Sequence, residues 1–534
     1  MRRLALAVVL AVLASAAPAS AAECTRTLRG IDLQRATIPE LQAAMASGRI
    51  SSADLVDAYV ARIAAYDRSG PRLNSIRHLD AGARAQAQRL DAERRAGRVR
   101  GPLHGVPLLL KDNVGTGDMP TTAGSIALEG VIPERDATIT RRLREAGAII
   151  LGKANLSEFA NWVALGMPNG YSSLGGQVLN AHDLGDPSGS SSGSGVASSM
   201  AFAAGAIGTE TSGSILSPSE ANGVVGVKPT LGLASTAGII PLAPSFDVPG
   251  PLVRTVTDAA IVLEAIAEGP HATDYAAGLR AGALAGKRLA YSQDAYDSLG
   301  DDERALFDDA IARLEALGAT VVAVQALAAQ WVGITEIAAI PNEFKTSLNR
   351  YLAEEAPSAE HRTLSEIIAY NRTRPDRVKY GQNLLEASDL TPGRSELFPV
   401  QAEPARQTAK ADIDAALLEG DADAIITPGN LHANVGAAAG YPTVMVPLGY
   451  TTDEDGAVHP QGIGFLGPAF SEATLLAFAY AYEQAAPGRV PPTALNDALV
   501  PGRCAKRGRA ARRASTSRRQ RPQRRRSVRG AAAT

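Results

Sequence analysis

Short apolar runs that alternate with helical segments limit the folds open to this chain more than any other feature. Val106–Leu110 and Ala148–Gly152 are apolar runs of strand length, and Thr320–Val324 follows the helical segment Asp302–Leu317. Runs that are apolar throughout, rather than at every second residue, are typical of strands covered on both faces. The pattern therefore predicts an α/β fold with a covered sheet, to which Ile425–Thr427 and Thr443–Pro447 add further strands.

Helices are predicted before the first of these strands. Thr37 precedes Ile38-Pro39-Glu40, so a hydroxyl N-cap stands three residues before a glutamate, as in a capping box. Ser51 opens a second helix, and Ala81–Ala96 reads as a third. Downstream of the Gly/Ser-rich string, the small residues predict a helix that continues through Ala206.

Composition excludes two broad classes of protein. Of the 534 residues, 45% are hydrophobic and 20% charged, which is too apolar for a wholly disordered chain. The two cysteines, Cys24 and Cys504, are too few for a disulfide-framed mini-protein. Whether these two pair with each other is left open by the sequence.

The first 21 residues have the three parts of a secretory signal. Arg2 and Arg3 precede an apolar run from Leu4 to Ala17, and Ala19-Ser20-Ala21 supplies small residues at a cleavage site. The pattern predicts removal of residues 1–21 and a secreted or periplasmic protein that begins at Ala22.

The last 32 residues, 503–534, differ in charge from the rest of the chain. They hold thirteen of the 53 basic residues and none of the 55 acidic ones. We predict a disordered Arg-rich tail there. Such a tail can bind polyanions by neutralising phosphates, but a solvated tail or a reading-frame error near the end of the gene is the favoured interpretation.

The Gly/Ser-rich segment between Pro187 and Thr230 is the region that indicates chemistry. Residues 189–193 match the G-x-S-x-G elbow of serine esterases, with Ser191 as nucleophile. That motif needs a strand directly before it, and residues 180–187 read as a loop. A phosphate-binding loop needs Gly-Lys-Ser/Thr, which is missing. The third interpretation is a serine activated by a second serine and a lysine.

Several motifs support this third interpretation, namely Lys111-Asp112-Asn113, Pro187–Thr230, Gly440-Tyr441-Pro442, Val446-Pro447, Gly462–Phe465 and Glu472–Leu476. In these motifs, and across residues 35–490, the chain resembles the amidase signature family. The resemblance is closest to peptide amidases in the string Gly-Ser-Ser-Ser-Gly-Ser-Gly and in 223–230. It implies a large mixed β-sheet covered by helices, in a single catalytic domain at 22–502, with 335–415 as a lid or insertion.

The resemblance implies a catalytic triad of Ser214, Ser190 and Lys111, with a cis peptide bond before Ser190. Ser214 is the implied nucleophile, Ser190 relays its proton, and Lys111 is the base. A lysine can act as a base only when it is neutral, so burial must lower its pKa from about 10.4. Lys153 and Lys228 are rival bases, expected to lie at a strand end and in a structural turn.

The backbone N–H groups of Thr211, Ser212, Gly213 and Ser214 are the implied oxyanion hole, which stabilises the charge that develops on the carbonyl oxygen. Three positions depart from the family pattern. Ser212 stands where the family often has glycine, Leu216 where many members have arginine, and Glu210 where aspartate is commoner. These departures leave the three triad residues in place.

The predicted function is a secreted amidase that hydrolyses an amidated peptide or a small carboxamide through an acyl-serine intermediate. The resemblance implies no cofactor and no obligatory partner subunit. No metal is expected either, since the seven histidines have no metal-ligand spacing. Two alternatives remain: an esterase that uses Ser191, and a catalytically silent binding protein of the same fold.

Overall fold

A mixed sheet of eleven strands forms the centre of the molecule. The computed structural model describes residues 26–327, 334–393, 398–485 and 488–501. The strands, in chain order, are β1 (Ile76–Leu79), β2 (Pro107–Lys111), β3 (Ile149–Ala154), β4 (Gly205–Glu210), β5 (Val225–Lys228), β6 (Val248–Val253), β7 (Arg288–Ser292), β8 (Thr320–Val324), β9 (Ala424–Pro428), β10 (Thr443–Thr452) and β11 (Val458–Leu466).

The strand order across the sheet is β8-β7-β9-β11-β10-β5-β6-β4-β2-β3-β1. Strand β2 runs parallel to β3 and β4, and β7 runs parallel to β8 and β9. The other neighbours are antiparallel. Every residue of β2, β3, β4, β5, β6 and β9 is buried, which means that both faces of these strands are covered. The predicted α/β fold with a large mixed sheet in one domain is confirmed.

Helices cover this sheet and connect its strands. They are α1 (Ile38–Ala46), α2 (Ser52–Arg62), α3 (Ala83–Arg95), α4 (Thr138–Glu145), α5 (Ser192–Ser199), α6 (Leu216–Ala221), α7 (Val256–Ile266), α8 (Gln293–Asp297), α9 (Asp301–Ala316), α10 (Ile334–Glu354), α11 (Leu364–Arg372), α12 (Asn383–Asp389), α13 (Phe398–Gly420), α14 (Ala433–Ala439) and α15 (Glu472–Ala485). Short turns of helix lie at Ile63–Asp67, Ile126–Leu128, Glu158–Asn161, Ala276–Gly278 and Pro492–Ala494.

The predicted helix through Ala206 is wrong in its second half. The helix, α5, ends at Ser199, and Gly205–Glu210 is strand β4 at the centre of the sheet. Small residues allow this strand because its neighbours approach closely: a Cβ on Gly205 would lie 2.5 Å from Val253. By contrast, Thr37 does form the predicted capping box with Glu40.

The segment 335–415, expected to be a lid or insertion, is helical and lies in sequence between β8 and β9. Its helices bury Phe344, Leu348 and Leu352 in a second apolar cluster, together with Phe159 and Phe246. This cluster attaches the helical segment to the loops at one edge of the sheet.

Several predictions concern residues outside the described ranges. These are the signal peptide, the cysteine pair and the Arg-rich tail. Among the helices that the structure describes, none has both the length and the apolar character needed to cross a bilayer.

Candidate active site

Lys111 is the last residue of β2, and its amine is completely buried. Because β2 and β4 are parallel neighbours, their carboxyl ends meet at the same edge of the sheet. The Lys111 Nζ lies 2.8 Å from Ser190 Oγ, 3.0 Å from Ser191 Oγ and 3.1 Å from the Thr209 carbonyl oxygen. The sheet therefore holds an amine against two hydroxyl groups, with no contact to bulk water.

Burial lowers the pKa of Lys111 to about 7. The loss of hydration disfavours the charged ammonium, and this effect exceeds the opposing attraction of the Asp247 and Glu210 carboxylates, which raises the pKa. An ordinary lysine is almost fully charged at neutral pH. Lys111 is neutral in a large fraction of molecules at pH 7, as a general base requires.

The two serines that contact this amine stand directly before helix α5. The Gly189–Ser190 peptide bond is cis. Ser191 is fixed by the backbone: its hydroxyl donates to the Thr209 carbonyl at 3.1 Å, and the Thr209 N–H donates back to it at 3.3 Å. The Ser191 N–H donates to the Ser214 carbonyl at 3.2 Å, so the loop that contains Ser214 is joined to the Ser190–Ser191 segment.

The loop from Thr211 to Ser214 connects β4 to helix α6. Gly213 has a φ of 78°, in the left-handed region that glycine tolerates best. The Glu210 carboxylate accepts hydrogen bonds from the N–H groups of Ile215 at 2.7 Å and Leu216 at 3.0 Å. Burial raises the pKa of Glu210, while the charge of Lys228 and the N–H groups, including that of Gly213, lower it. Glu210 thus holds the loop in a tight turn.

Asp247 joins this loop to a second one. Its carboxylate accepts hydrogen bonds from Thr211 Oγ1 at 2.6 Å, from Leu242 N at 2.9 Å and from Ala243 N at 3.0 Å. Asn113, two residues beyond Lys111, donates to Thr209 Oγ1 at 3.0 Å. Both side chains brace the wall of the site next to the predicted oxyanion hole.

A cavity of about 350 Å³ opens beside these groups. Asn113, Thr209, Thr211 and Asp247 line it on the side of the sheet. Apolar residues of the loop 239–244 form another wall, and Ser347, Arg350 and Tyr351 of helix α10 lie across from them. The helical segment 335–415 therefore supplies part of the wall of the cavity.

The rival bases lie elsewhere. Lys153 is inside β3 rather than capping it, and its amine donates to the Val114 carbonyl and to Thr121 Oγ1 at 2.8 Å. Lys228 ends β5 and donates to the Pro229 carbonyl at 3.3 Å. Burial lowers the pKa of each to about 8. Of the three buried lysines, Lys111 is the one that contacts Ser190.

The sequence does not predict the roles that three residues of this site have in the structure. The sequence suggests Ser191 only as an esterase nucleophile, although it contacts Lys111. Asn113 carries a signal, since it belongs to the Lys-Asp-Asn motif. Asp247 carries none, because its role depends on two loops meeting in space. No group of three or more His, Cys, Asp or Glu side chains that could hold a metal ion occurs in the described ranges.

The family model described as Amidase matches residues 54–437, which is more than half of the chain. The chain belongs to the amidase family. It is 37% identical to a probable amidase of Arabidopsis thaliana, over 86% of this chain and 92% of the relative. The family assignment makes this protein an amidase, a hydrolase of C–N bonds.

Two further similarities bear on which amidase it resembles. A solved structure of a peptide amidase from Stenotrophomonas maltophilia is 40% identical, with a TM-score of 0.80 over 86% of this chain and 98% of that one. One of the subunits of the glutamyl-tRNA(Gln) amidotransferase of Myxococcus xanthus is 34% identical over 84% of this chain and 96% of the relative. The amidase thus resembles both a peptide amidase and one component of a larger enzyme.

The buried amine predicts a pH dependence of the stability of this amidase. The pKa of Lys111 is about 7 in the folded state and about 10.4 in the unfolded chain, so unfolding between these pH values takes up a proton. Its contribution to the free energy of unfolding therefore rises with pH across this window, by up to about 1.4 kcal/mol per pH unit, and is flat below pH 7. In Lys111→Met, the free energy of unfolding measured by urea denaturation should rise less steeply between pH 7.5 and 9 than in the parent protein.

Lys379→Met is the control for this measurement, because Lys379 is exposed. It should keep the slope of the parent protein. Equal slopes for the parent protein and Lys111→Met would show that the Lys111 amine is not held neutral in the folded state.

Proposed function

We propose that this amidase hydrolyses a carboxamide, either a C-terminally amidated peptide or a small amide, through an acyl-enzyme intermediate on Ser214. The observation that carries the proposal is the buried Lys111 amine at 2.8 Å from the Ser190 hydroxyl. This contact lies at the same sheet edge as the loop that bears Ser214, and that loop is joined to Ser191 by a backbone hydrogen bond.

The hydrogen-bond partners of Lys111 support one direction of proton transfer, from Ser214 through Ser190 to Lys111. A neutral amine has two N–H donors and one lone pair. The Thr209 carbonyl can only accept, and the Ser191 hydroxyl already donates to that same carbonyl, so both take N–H groups from Lys111. Ser190 is the partner left to donate to the lone pair, and its own oxygen is then free to accept the proton of Ser214.

Ser214 is the nucleophile in this proposal because it is the most exposed of the three serines around Lys111 that the sequence proposes as nucleophile or relay. Its exposed fraction is 9%, against 1% for Ser190 and 0% for Ser191. The cavity also reaches Thr211, three residues before it. Ser214 Oγ attacks the amide carbon while its proton passes to Ser190 and the Ser190 proton to Lys111. The C–N bond then breaks, ammonia or an amine leaves with the returned proton, and water hydrolyses the ester.

The negative charge that forms on the carbonyl oxygen requires donors that are already in place. We assign this role to the N–H groups of Thr211, Ser212, Gly213 and Ser214. The Gly213 N–H also interacts with Glu210, so the other three are the stronger candidates. Asp247 supports them by holding the Thr211 side chain.

The 350 Å³ cavity is at the small end of the range for small-molecule sites, which suits a short amide.

We further propose that the enzyme is exported and acts as a single chain, since export would separate it from tRNA transamidation. N-terminal sequencing of the protein recovered outside the cytoplasm should find Ala22 first; an intact Met1 would contradict removal of residues 1–21, and recovery only from the cytoplasm would contradict export.

Ser214→Ala should abolish ammonia release from amide substrates and prevent labelling by a fluorophosphonate probe, because the attacking oxygen is gone. Ser191→Ala is the matched control, and labelling at Ser214 should persist in it. Mass spectrometry of the labelled peptide and an ammonia assay on a panel of amides, amidated peptides and esters provide the two measurements. Labelling at Ser191 would favour the esterase, and an unlabelled, inactive parent protein would favour the binding protein.

The rate should depend on pH through Lys111. Because the base must be neutral, kcat/KM should rise with pH and level off above an apparent pKa near 7. Lys111→Ala should lose several orders of magnitude in kcat/KM. A residual rate near that of the parent protein, or a rate that falls as the pH rises from 6 to 8, would remove Lys111 from the mechanism.

A further inference from the structure

A second cavity, of about 250 Å³, lies at the sheet edge opposite the active site. Arg254 follows Val253, the last residue of β6, and Val253 pairs with Gly205 at the start of β4. Asp247 precedes β6 at its other end, and Lys111 ends β2, the parallel neighbour of β4. The residues that line the second cavity are Arg35, Arg254, Thr255, Val446, Pro447, Glu483, Gln484, Gly488 and Arg489.

Two of the three arginines in this cavity also hold the backbone. Arg489 donates to the carbonyls of Gln34 at 2.9 Å and Ser199 at 2.7 Å. Arg254 donates to the carbonyls of Ala203 at 2.9 Å and Ala36 at 3.1 Å. These bonds use about half of the five N–H groups that each guanidinium carries. The Nε of both is buried with no hydrogen-bond acceptor in the described part of the chain.

Within the described residues, none of the three guanidinium groups forms an ion pair with a carboxylate within 4 Å. Burial and the nearby charges of Arg254 and Arg35 lower the pKa of Arg489 to about 9, although Tyr450 and Asp32 oppose this. The one carboxylate that lines the cavity, Glu483, accepts a hydrogen bond from Val256 N at 2.9 Å. The cavity therefore gathers three positive charges against one negative charge.

We propose that this cavity is a binding site for a small oxyanion of the phosphate or sulfate type, held by Arg35, Arg254 and Arg489. Guanidinium groups match the geometry of such oxygens and bind them by charge-assisted hydrogen bonds. The volume of the cavity is several times the roughly 30 Å³ that one water molecule occupies, so the anion fits with part of its hydration shell. A bound anion also offsets the repulsion between the positive charges that the fold brings together at the carboxyl end of helix α5.

Arg35 is the residue to test, because it is exposed and makes no side-chain hydrogen bond to the described residues, whereas Arg254 and Arg489 support the fold. Isothermal titration with sodium sulfate at fixed ionic strength should show one saturable site per chain. Arg35→Ala should weaken binding about tenfold, as expected for one charge-assisted hydrogen bond. Arg89→Ala, at an exposed arginine of α3 outside this cavity, should leave the affinity unchanged.

Glu483→Gln provides a test of opposite sign. The amide oxygen can still accept from Val256, but the negative charge that repels the anion is removed, so sulfate should bind several-fold more tightly. The pKa of Glu483 is raised to about 7 by burial and by Asp258, so binding to the parent protein should tighten between pH 8 and pH 6. Glu483→Gln should keep only the part of this dependence that is due to Asp258, whose pKa is raised by burial to about 6. Besides the three arginines, the charged and titratable groups around this cavity are Asp32, Tyr59, Arg62, Asp258 and Tyr450.

Three results would overturn the site: no saturable sulfate binding, equal affinities of Arg35→Ala and Arg89→Ala, or no tightening in Glu483→Gln. None of them depends on amide hydrolysis, so this proposal and the proposed mechanism fail independently.

Discussion

The site depends on keeping one amine away from water. Lys111 ends a strand whose five residues are all buried, and its amine meets two hydroxyls and a carbonyl rather than a carboxylate. An ion pair at this place would stabilise the ammonium and remove the base. Asp247 and Glu210 lie near enough to raise its pKa, yet each carboxylate is committed to its own backbone donors.

Helix α5 connects this amine to the rest of the fold. Its first residue follows Ser190 and Ser191, and its last carbonyls, which no helical N–H can satisfy, are taken by arginines. Arg489 donates to Ser199 at 2.7 Å, Arg62 to Met200 at 2.5 Å and, more weakly, Arg254 to Ser198 at 3.4 Å. Positive charge at the carboxyl end of a helix is electrostatically favourable. One buried helix therefore positions serines at one sheet edge and gathers arginines near the other.

Local sequence patterns predict a strand correctly where the apolar run has the length and position of the strand itself. Val106–Leu110 and Thr320–Val324 are apolar over the length of a strand, and both are strands, the first shifted by one residue. The sequence does not predict strands β4 and β6, and the reason differs between them. Gly205–Glu210 follows a helix of small residues without a turn signal that separates the two. Val248–Val253 contains Pro249, Gly250 and Pro251, which are normally excluded from central strands.

The same limit applies to the site. Lys111, Ser190 and Ser214 can be named because they stand in motifs that resemble a known family, whereas Asp247 belongs to no motif. Three of its four hydrogen bonds are local, but the bond from Thr211 exists only because the loop before β6 and the loop after β4 meet at one sheet edge, where Val248 pairs with Glu210. Contacts of this kind are set by strand pairing, and strand pairing is what the sequence does not reveal.

Two of the three departures from the family pattern, at Leu216 and Glu210, can be understood together. Leu216, where many members have arginine, is 1% exposed and packs against Ala433 and Met445. An arginine there would have supplied positive charge beside Glu210. In this chain the buried Lys228 has that electrostatic role, since it lowers the pKa of Glu210. Glu210 accepts hydrogen bonds from the N–H groups of residues 215 and 216. The turn that presents Ser214 is thus held by the hydrogen bonds to the Glu210 side chain, near the charge of Lys228, and an apolar residue at 216 is compatible with it.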